Sequence, residues 1–156
     1  SGRLIQRKLI YGEENQSNKI RGVKVMNQAV RTVRRGDVYL ADLNPAIGCE
    51  QGGIRPVLVL QNDIGNLHSP TTIVAAVTAK QTKKALPVHM PISSYMLRTD
   101  STLLLEQIRT IDKCRLKGYL GSVSEKEMRN IDRVLKLSIG LIPPAAARKK
   151  NSRKYI

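Results

Sequence analysis

Residues 48–60, Gly48-Cys49-Glu50-Gln51-Gly52-Gly53-Ile54-Arg55-Pro56-Val57-Leu58-Val59-Leu60, decide the fold, because a polar, glycine-rich loop passes here directly into an apolar run. The apolar run 56–60 predicts a short buried strand. The paired glycines allow positive φ and a close approach of the backbone to a ligand. Pro56 restricts Arg55 to an extended conformation, so we expect its guanidinium to project from the end of the strand.

The sequence on both sides of this stretch is mostly β-prone. Apolar runs and period-two alternation indicate further strands, and short polar segments with Pro or Gly separate them. Proline at each end of residues 87–91 favours an edge strand, because proline cannot donate a ladder hydrogen bond. Besides 56–60, the predicted strands span residues 36–42, 71–78, 87–91, 102–111 and 119–123, and residues 62–66 are predicted to form a turn or one helical turn.

One helix is predicted after the last strand. Ser124 and Glu127 have the spacing of a capping box at a helix N-terminus. Gly140 and Pro143-Pro144 are predicted to end the helix. The fold class is therefore mainly β, a small bent antiparallel sheet or open barrel closed by a C-terminal helix. We expect a stripe of residues with helical apolar spacing to be buried against the strands, namely Met128, Ile131, Leu135, Ile139 and Ile142.

The positive charge is concentrated at the two ends of the chain. The formal net charge is +15, from 27 Lys and Arg against 12 Asp and Glu. Residues 1–35 contribute a net +7 and residues 143–156 a net +5, so the middle of the chain is nearly balanced. We expect a basic extension at 1–32 that is in part disordered or not native, a globular domain at 33–142 and a basic tail at 143–156.

The composition excludes several classes of protein. A strongly positive charge favours a polyanionic partner such as nucleic acid. All five aromatic residues are Tyr, which argues against a surface of several stacked aromatics. The longest apolar run, residues 73–77, is too short to span a membrane. The two cysteines and two histidines lack metal-ligand spacing, so we expect a reduced cytoplasmic protein with no metal and no cofactor.

Polar groups at the ends of the predicted strands are candidates for chemistry. Arg55 offers a planar set of donors that matches a phosphate, with Glu50 close by in the sequence. A surface hairpin with a salt bridge would give the same pattern. Thr78 ends an apolar strand. Strict alternation along the strand at 102–111 would place Glu106, Ile108 and Thr110 on one face, and Gln107 and Arg109 on the other.

Several of these motifs, in order along the chain, closely resemble the MazF/PemK toxins, the mRNA interferases of bacterial toxin–antitoxin modules. The resemblance covers about residues 33–142 and neither end of the chain. It is carried by Arg35-Gly36-Asp37-Val38-Tyr39, residues 48–59, Gln61-Asn62-Asp63-Ile64-Gly65-Asn66, Ser69-Pro70-Thr71 and Leu105-Glu106-Gln107-Ile108-Arg109-Thr110-Ile111-Asp112-Lys113.

The resemblance implies a fold, an activity and a site. The fold is the small bent β-barrel shared with the CcdB plasmid-maintenance toxins, assembled as a homodimer. The activity is sequence-specific cleavage of single-stranded mRNA without a metal, through attack by the substrate's own 2′-OH. The products carry a 2′,3′-cyclic phosphate and a 5′-OH, and growth is arrested until a MazE-like antitoxin inserts an acidic segment across the same surface. Arg55 and Thr78 match the catalytic positions.

The resemblance also implies an RNA-binding surface. We include the Gly-Gly pair of the loop in this surface, because glycine lets the backbone approach a ligand closely. Cys49 and Val88 depart from residues common in the family, which bears on the RNA sequence recognised and not on catalysis. The candidate RNA-binding residues are Cys49, Glu50, Gln51, Gly52, Gly53, Leu86, Pro87, Val88, His89, Gln107 and Arg109.

Two questions stay open at the level of sequence. The first is the general base: an arginine side chain is a poor base because its pKa exceeds about 12, and Glu50 and His89 are both candidates. The second is the function itself. A plasmid toxin of this fold that binds DNA gyrase, or a basic nucleic-acid-binding module without activity, would share much of the pattern.

Overall fold

The computed structural model describes residues 31–79, 86–92, 97 and 99–144. Most of the predicted extension at 1–32 and of the predicted tail at 143–156 lies outside these residues. In chain order the elements are β1 (Asp37–Asp42), β2 (Ile54–Val59), α1 (Asp63–His68), β3 (Thr71–Thr78), β4 (His89–Ile92), β5 (Ser101–Asp112), a 3₁₀ turn (Lys113–Arg115), β6 (Leu116–Ser122) and α2 (Glu125–Ser138).

The six strands form one antiparallel sheet in the order β4-β5-β3-β2-β1-β6. The predicted mainly β fold with a C-terminal helix is therefore confirmed, and residues 71–78 form the strand that the sequence predicted. β4, which contains Pro91, is an edge strand, as predicted. β2 begins two residues earlier than predicted and β6 three residues earlier, so Arg55 lies within its strand.

Apolar residues are buried on both faces of the sheet. One face carries a cluster that includes Leu58, Ala75, Val77, Leu103 and Leu105, against which α2 packs through Ile131. The cluster on the opposite face is formed by Tyr39, Ala41, Leu43, Val57, Val59, Val74, Ala76 and Ile111, and we call this side of the sheet the second face.

The helix α2 begins at the predicted capping box and ends just before Gly140, as predicted, although the apolar spacing continues to Ile142. Ser124 accepts from the Glu127 N–H at 3.2 Å, and the Glu127 carboxylate accepts from the Ser124 N–H at 2.9 Å. At the other end the N–H groups of Gly140 and Leu141 turn back onto helix carbonyls, which closes the helix with a Schellman-type cap. Ile139 lies at the cap and is exposed, so its predicted place in the buried stripe is wrong.

No helix within the described residues is long and apolar enough to cross a membrane.

The packing of α2 on the sheet gives a testable difference between two isoleucines. Ile131, on the side of α2 that packs against the sheet, is 1% exposed, and Ile64 on α1 is 76% exposed. Truncation of Ile131 to alanine leaves a cavity and is expected to lower the free energy of unfolding by about 2–5 kcal/mol. Ile64→Ala makes the same chemical change and is expected to stay within about 0.5 kcal/mol. Urea unfolding followed by circular dichroism measures both values, and equal losses would contradict this packing.

Candidate active site

The loop between β1 and β2, residues 43–53, forms one side of the candidate site, and we call it the β1–β2 loop. The Leu43 N–H donates to the Gly53 carbonyl at 3.0 Å, and the Gly53 N–H donates to Asn44 Oδ1 at 2.9 Å. Gly53 has a φ of +77°, as the sequence predicted for this pair. A Cβ on Gly52 would lie 2.8 Å from the Cβ of Ala46, so Gly52 is required for packing within the loop.

Three arginines from different parts of the chain donate to backbone carbonyls at the two ends of this loop. Arg109 Nη1 lies 2.9 Å from the Leu43 oxygen, and Arg55 Nε lies 2.7 Å from the Gly52 oxygen. Arg115 Nη1 lies 3.2 Å from the Asp42 oxygen. These hydrogen bonds tie the loop to β2, to β5 and to the 3₁₀ turn.

The sheet places Arg55 and Thr78 on neighbouring strands. The β2–β3 ladder ends at the pair Val57–Ala76, and Arg55 and Thr78 each lie two residues beyond this pair on their own strands. Residues two apart on a strand share a face, so both side chains lie on the second face, beyond Val57 and Ala76. Thr78 is buried and is paired with Thr102 of β5. The two residues that the sequence singled out as catalytic are therefore brought together.

The Arg55 guanidinium is half-buried and is hydrogen-bonded to neutral acceptors, the Gln51 carboxamide and the Gly52 carbonyl. Burial lowers the pKa of Arg55 from its ordinary value. Elsewhere in the described part of the chain the arginines that form ion pairs are Arg31, Arg35 and Arg129. Within that part no ion pair is formed by Arg55, Arg109 or Arg115, although the charge of Arg115 helps to lower the pKa of the nearby Asp112.

A bulge in β5 adds further side chains to the same face. Ala76 pairs with Leu104, but its neighbour Ala75 pairs with Ile108. Leu105 and Ile108 therefore both contact the cluster beneath α2, although they are three residues apart. The predicted strict alternation, with Glu106 and Ile108 on one face, is wrong, because the extra residues reset the period. The bulge turns Glu106 and Gln107 toward the second face together with Arg109.

Gln107 links β5 to the β1–β2 loop. Its Oε1 accepts from the Gln51 N–H at 3.2 Å, and its Nε2 lies 3.4 Å from the Cys49 oxygen. Cys49 is exposed, and it contacts Gln107 through its backbone. Glu50 is also exposed, and its carboxylate accepts from the Ile47 N–H at 3.0 Å, which closes a turn at the tip of the loop.

The remaining predicted residues form a tight turn at the start of β4. The His89 N–H donates to the Leu86 carbonyl at 2.9 Å, with Pro87 at the second position of the turn, where its fixed φ is suitable. The carbonyl of Val88 accepts from the Leu105 N–H at 3.2 Å. His89 Nε2 lies 2.7 Å from Glu106 Oε1. We call residues 86–89 the β4 turn.

The predicted residues thus fall into two groups on one face. The first contains the β1–β2 loop with Cys49, Glu50, Gln51, Gly52, Gly53, Arg55, Gln107 and Arg109, with Thr78 on the adjacent strand. The second is the β4 turn with Leu86, Pro87, Val88 and His89, which is joined to β5.

Sequence reasoning did not identify Glu106, Asn44 or Arg115 as parts of this region. Glu106 lies within a motif that the resemblance quoted, and Asn44 lies in an Asn-Pro turn signal. Glu106 contacts His89, 17 residues away in the chain, and Asn44 contacts Gly53, 9 residues away. Arg115 contacts Asp42, 73 residues away, so no local pattern in the sequence indicates these contacts. Within the described ranges no cluster of three or more His, Cys, Asp or Glu residues has a geometry suited to a metal ion.

Comparisons with known proteins agree with this geometry. The sequence model of the PemK-like, MazF-like toxins of type II toxin–antitoxin systems matches residues 34–139. An endoribonuclease MazF from Staphylococcus saprophyticus subsp. saprophyticus is 55% identical over 111 residues, which cover 70% of this chain and 92% of that relative.

Solved structures of similar proteins have the same fold. An endoribonuclease in complex with its cognate antitoxin, from a mycobacterial species, has a TM-score of 0.60 at 26% identity, covering 72% of this chain and 99% of its own. MazF from Deinococcus radiodurans has a TM-score of 0.62 at 22% identity, covering 70% and 98%, and it supports the fold alone. The resemblance inferred from the motifs is confirmed, and this chain belongs to the PemK-like, MazF-like toxins of type II toxin–antitoxin systems.

Proposed function

We propose that this chain is an endoribonuclease toxin that cleaves single-stranded mRNA at a specific sequence, without a metal ion, and so arrests translation and growth. Membership of the toxin family and 55% identity to an endoribonuclease MazF support RNA cleavage. The activity is assigned to residues 33–142, with the basic ends of the chain outside it.

One observation carries the proposal: Arg55 lies on the strand next to that of Thr78, and among the described residues its hydrogen-bond partners are neutral. Hydrogen bonds in which one partner is ionised are roughly twice as strong as those between neutral groups. An RNA phosphate therefore competes favourably with the Gln51 carboxamide for the Arg55 guanidinium. An arginine already paired with a carboxylate would gain less from the same phosphate.

The proposed reaction uses the substrate's own 2′-OH as the nucleophile. The 2′ oxygen forms a bond to phosphorus, the bond from phosphorus to the 5′ oxygen breaks, and the products are a 2′,3′-cyclic phosphate and a 5′-OH. Negative charge develops on the non-bridging oxygens, where the Arg55 guanidinium and the Thr78 hydroxyl donate hydrogen bonds. The lowered pKa of Arg55 also favours proton donation to the leaving 5′ oxygen.

We assign the proton acceptor to Glu50 in preference to His89. An ionised carboxylate has several acceptor positions, so Glu50 accepts further hydrogen bonds besides the one from the Ile47 N–H. His89 already accepts from the Leu86 N–H at Nδ1 and contacts Glu106 at Nε2. It would have to lose its bond to Leu86 before it took a proton.

The proposal also covers the partners of the chain. The RNA-binding surface is assigned to Cys49–Gly53, Leu86–His89, Gln107 and Arg109. A MazE-like antitoxin is the expected inhibitor, since a similar solved structure is in complex with its cognate antitoxin. An acidic antitoxin segment would compete with RNA phosphate for the same arginines. A homodimer in the bacterial cytoplasm completes the proposal.

A long single-stranded RNA incubated with the protein and excess EDTA tests the reaction class. We expect discrete cuts, with cyclic phosphate detected by mass spectrometry at each 3′ end. A 2′-deoxy substitution at one mapped cut site should abolish cleavage there and leave other sites unchanged, because the nucleophile is removed. Intact RNA in EDTA that is cut on addition of Mg²⁺ would contradict metal independence. RNA that is bound but never cut would favour a binding module.

Arg55→Ala tests the proposed phosphate contact. Loss of one such donor is expected to lower kcat by about 10²–10³-fold, measured on a fluorogenic RNA that contains a mapped cut site. Arg133→Ala on the exposed surface of α2 removes the same charge and should leave kcat within about twofold.

Thermal unfolding of both arginine variants is compared with the parent, since Arg55 also holds the Gly52 carbonyl. A folded Arg55→Ala protein with parental kcat would remove Arg55 from the mechanism.

Glu50→Gln tests the proton acceptor. The carboxamide oxygen of Gln still accepts from the Ile47 N–H, so the loop turn is kept while basicity is lost. We expect kcat to fall by about 10²–10⁴-fold, the usual range for removal of a general base. His89→Gln is the matched comparison and should retain most of kcat. The opposite order of effects would transfer the role to His89.

A further inference from the structure

Besides the backbone bond from the Leu105 N–H to the Val88 carbonyl, a side-chain contact through the His89 imidazole joins the β4 turn to β5. His89 Nδ1 accepts from the Leu86 N–H at 3.3 Å, so the ring reaches back across the turn to its first residue. On the other side of the ring, Nε2 lies 2.7 Å from Glu106 Oε1. The His89 side chain is 8% exposed and that of Glu106 is 33% exposed. The ring therefore bridges the first residue of the turn and the bulge of β5.

These contacts define the protonation of the ring. A nitrogen that accepts a hydrogen bond carries no proton, so Nδ1 is the unprotonated nitrogen. Nε2 then carries the proton and donates it to the Glu106 carboxylate. This orientation, in which a carboxylate fixes one tautomer of a histidine, is a common way of holding an imidazole in place. The Glu106 carboxylate therefore favours one orientation of the ring, and in that orientation Nδ1 faces the Leu86 N–H.

The sheet places this turn on the same face as Thr78, with the strand β5 between them. His89 pairs with Leu104, and Leu104 pairs with Ala76. Ala76 shares the second face with Thr78, two residues further along β3. Leu86 and Pro87 are exposed, so the turn presents an apolar surface at the border of the site, against which an RNA base can pack.

We propose that Glu106 is a positioning residue for RNA binding, which acts through His89 to hold the β4 turn in the geometry that contacts substrate. This rests on the proposed function, because it assigns a role within the same site. Glu106 does not touch the reacting atoms in this proposal. Its loss should weaken RNA binding and leave the chemical step unchanged.

Three substitutions of Glu106 separate its hydrogen bond from its charge. Glu106→Ala removes both, and we expect KM for a short RNA to rise about tenfold, as for loss of one charge-assisted hydrogen bond. Glu106→Gln loses the charge but keeps an acceptor at the same reach, so KM should return to within about twofold of the parent. Glu106→Asp keeps the charge but is one methylene shorter, and it should behave like Glu106→Ala. In all three variants kcat should stay within about twofold.

Glu125→Ala is the control for net charge. Glu125 lies on α2 with a side chain that is 97% exposed, and its removal raises the net charge by one, as Glu106→Ala does. Added positive charge strengthens non-specific attraction to RNA. A simple charge effect would therefore lower KM, or leave it unchanged, in both variants. We expect this result for Glu125→Ala and a higher KM for Glu106→Ala.

Nitrogen NMR of the imidazole rings provides a readout that does not depend on cleavage. The chain has two histidines, and the exposed His68 serves as the internal reference. We expect His89 to be the Nε2-protonated tautomer in the parent and in Glu106→Gln, and to change in Glu106→Ala. Fluorescence anisotropy with an RNA blocked by 2′-deoxy substitution gives the affinity ratios even if the parent cuts nothing. A protein that does not cleave RNA can therefore be distinguished from one in which Glu106 has no positioning role.

Several outcomes would overturn the positioning role. Parental KM and affinity in Glu106→Ala would show that the contact is unimportant for RNA. A loss of kcat at constant KM would make Glu106 part of the chemistry. Activity kept by Asp and lost by Gln would show that charge, and not the hydrogen bond, matters. A parental imidazole spectrum in Glu106→Ala would refute the link through His89.

Discussion

The β1–β2 loop must have hydrogen-bond donors for its backbone carbonyls, and this constraint organises the candidate site. Backbone acceptors withdrawn from water need partners inside the protein. Here the donors are the guanidinium groups of Arg55, Arg109 and Arg115, which lie on β2, on β5 and in the 3₁₀ turn. A guanidinium has five N–H donors, so each arginine can hold the loop and still face a ligand. Structural and functional roles therefore coincide in the same side chains.

The bulge in β5 extends this arrangement to a second region of the face. An undistorted strand would turn Glu106 and Gln107 to opposite sides of the sheet. The bulge instead lets Gln107 contact the β1–β2 loop while its neighbour Glu106 contacts His89. One irregularity thus couples the loop to the β4 turn through two consecutive residues. Bulges occur preferentially beside active sites for this kind of re-aiming.

The sequence predicted most of the fold and only part of the site. Apolar runs indicated the strands because buried strands need them, and the capping box located the start of α2. The exposure of Ile139 was missed because the apolar residues keep helical spacing in the sequence beyond Ser138, where α2 ends. The His89–Glu106 contact depends on strand register and on a bulge, neither of which has a local signal. The roles of Arg55 and Thr78 were inferred from the resemblance, and the sheet places the two residues on adjacent strands.

The distribution of charge explains how a nearly balanced domain can still bind a polyanion. Outside the site, Arg31 and Arg35 are paired with Asp37 and Asp132. Within it, the arginines are held by carbonyl and carboxamide dipoles, which orient a guanidinium without cancelling its charge. In the proposed function such a site would attract phosphate through a few placed groups, while the basic ends of the chain would add attraction that is independent of sequence and sensitive to salt. Specific cleavage should therefore depend less on the net charge of +15 than on the neutral partners that keep Arg55 in place.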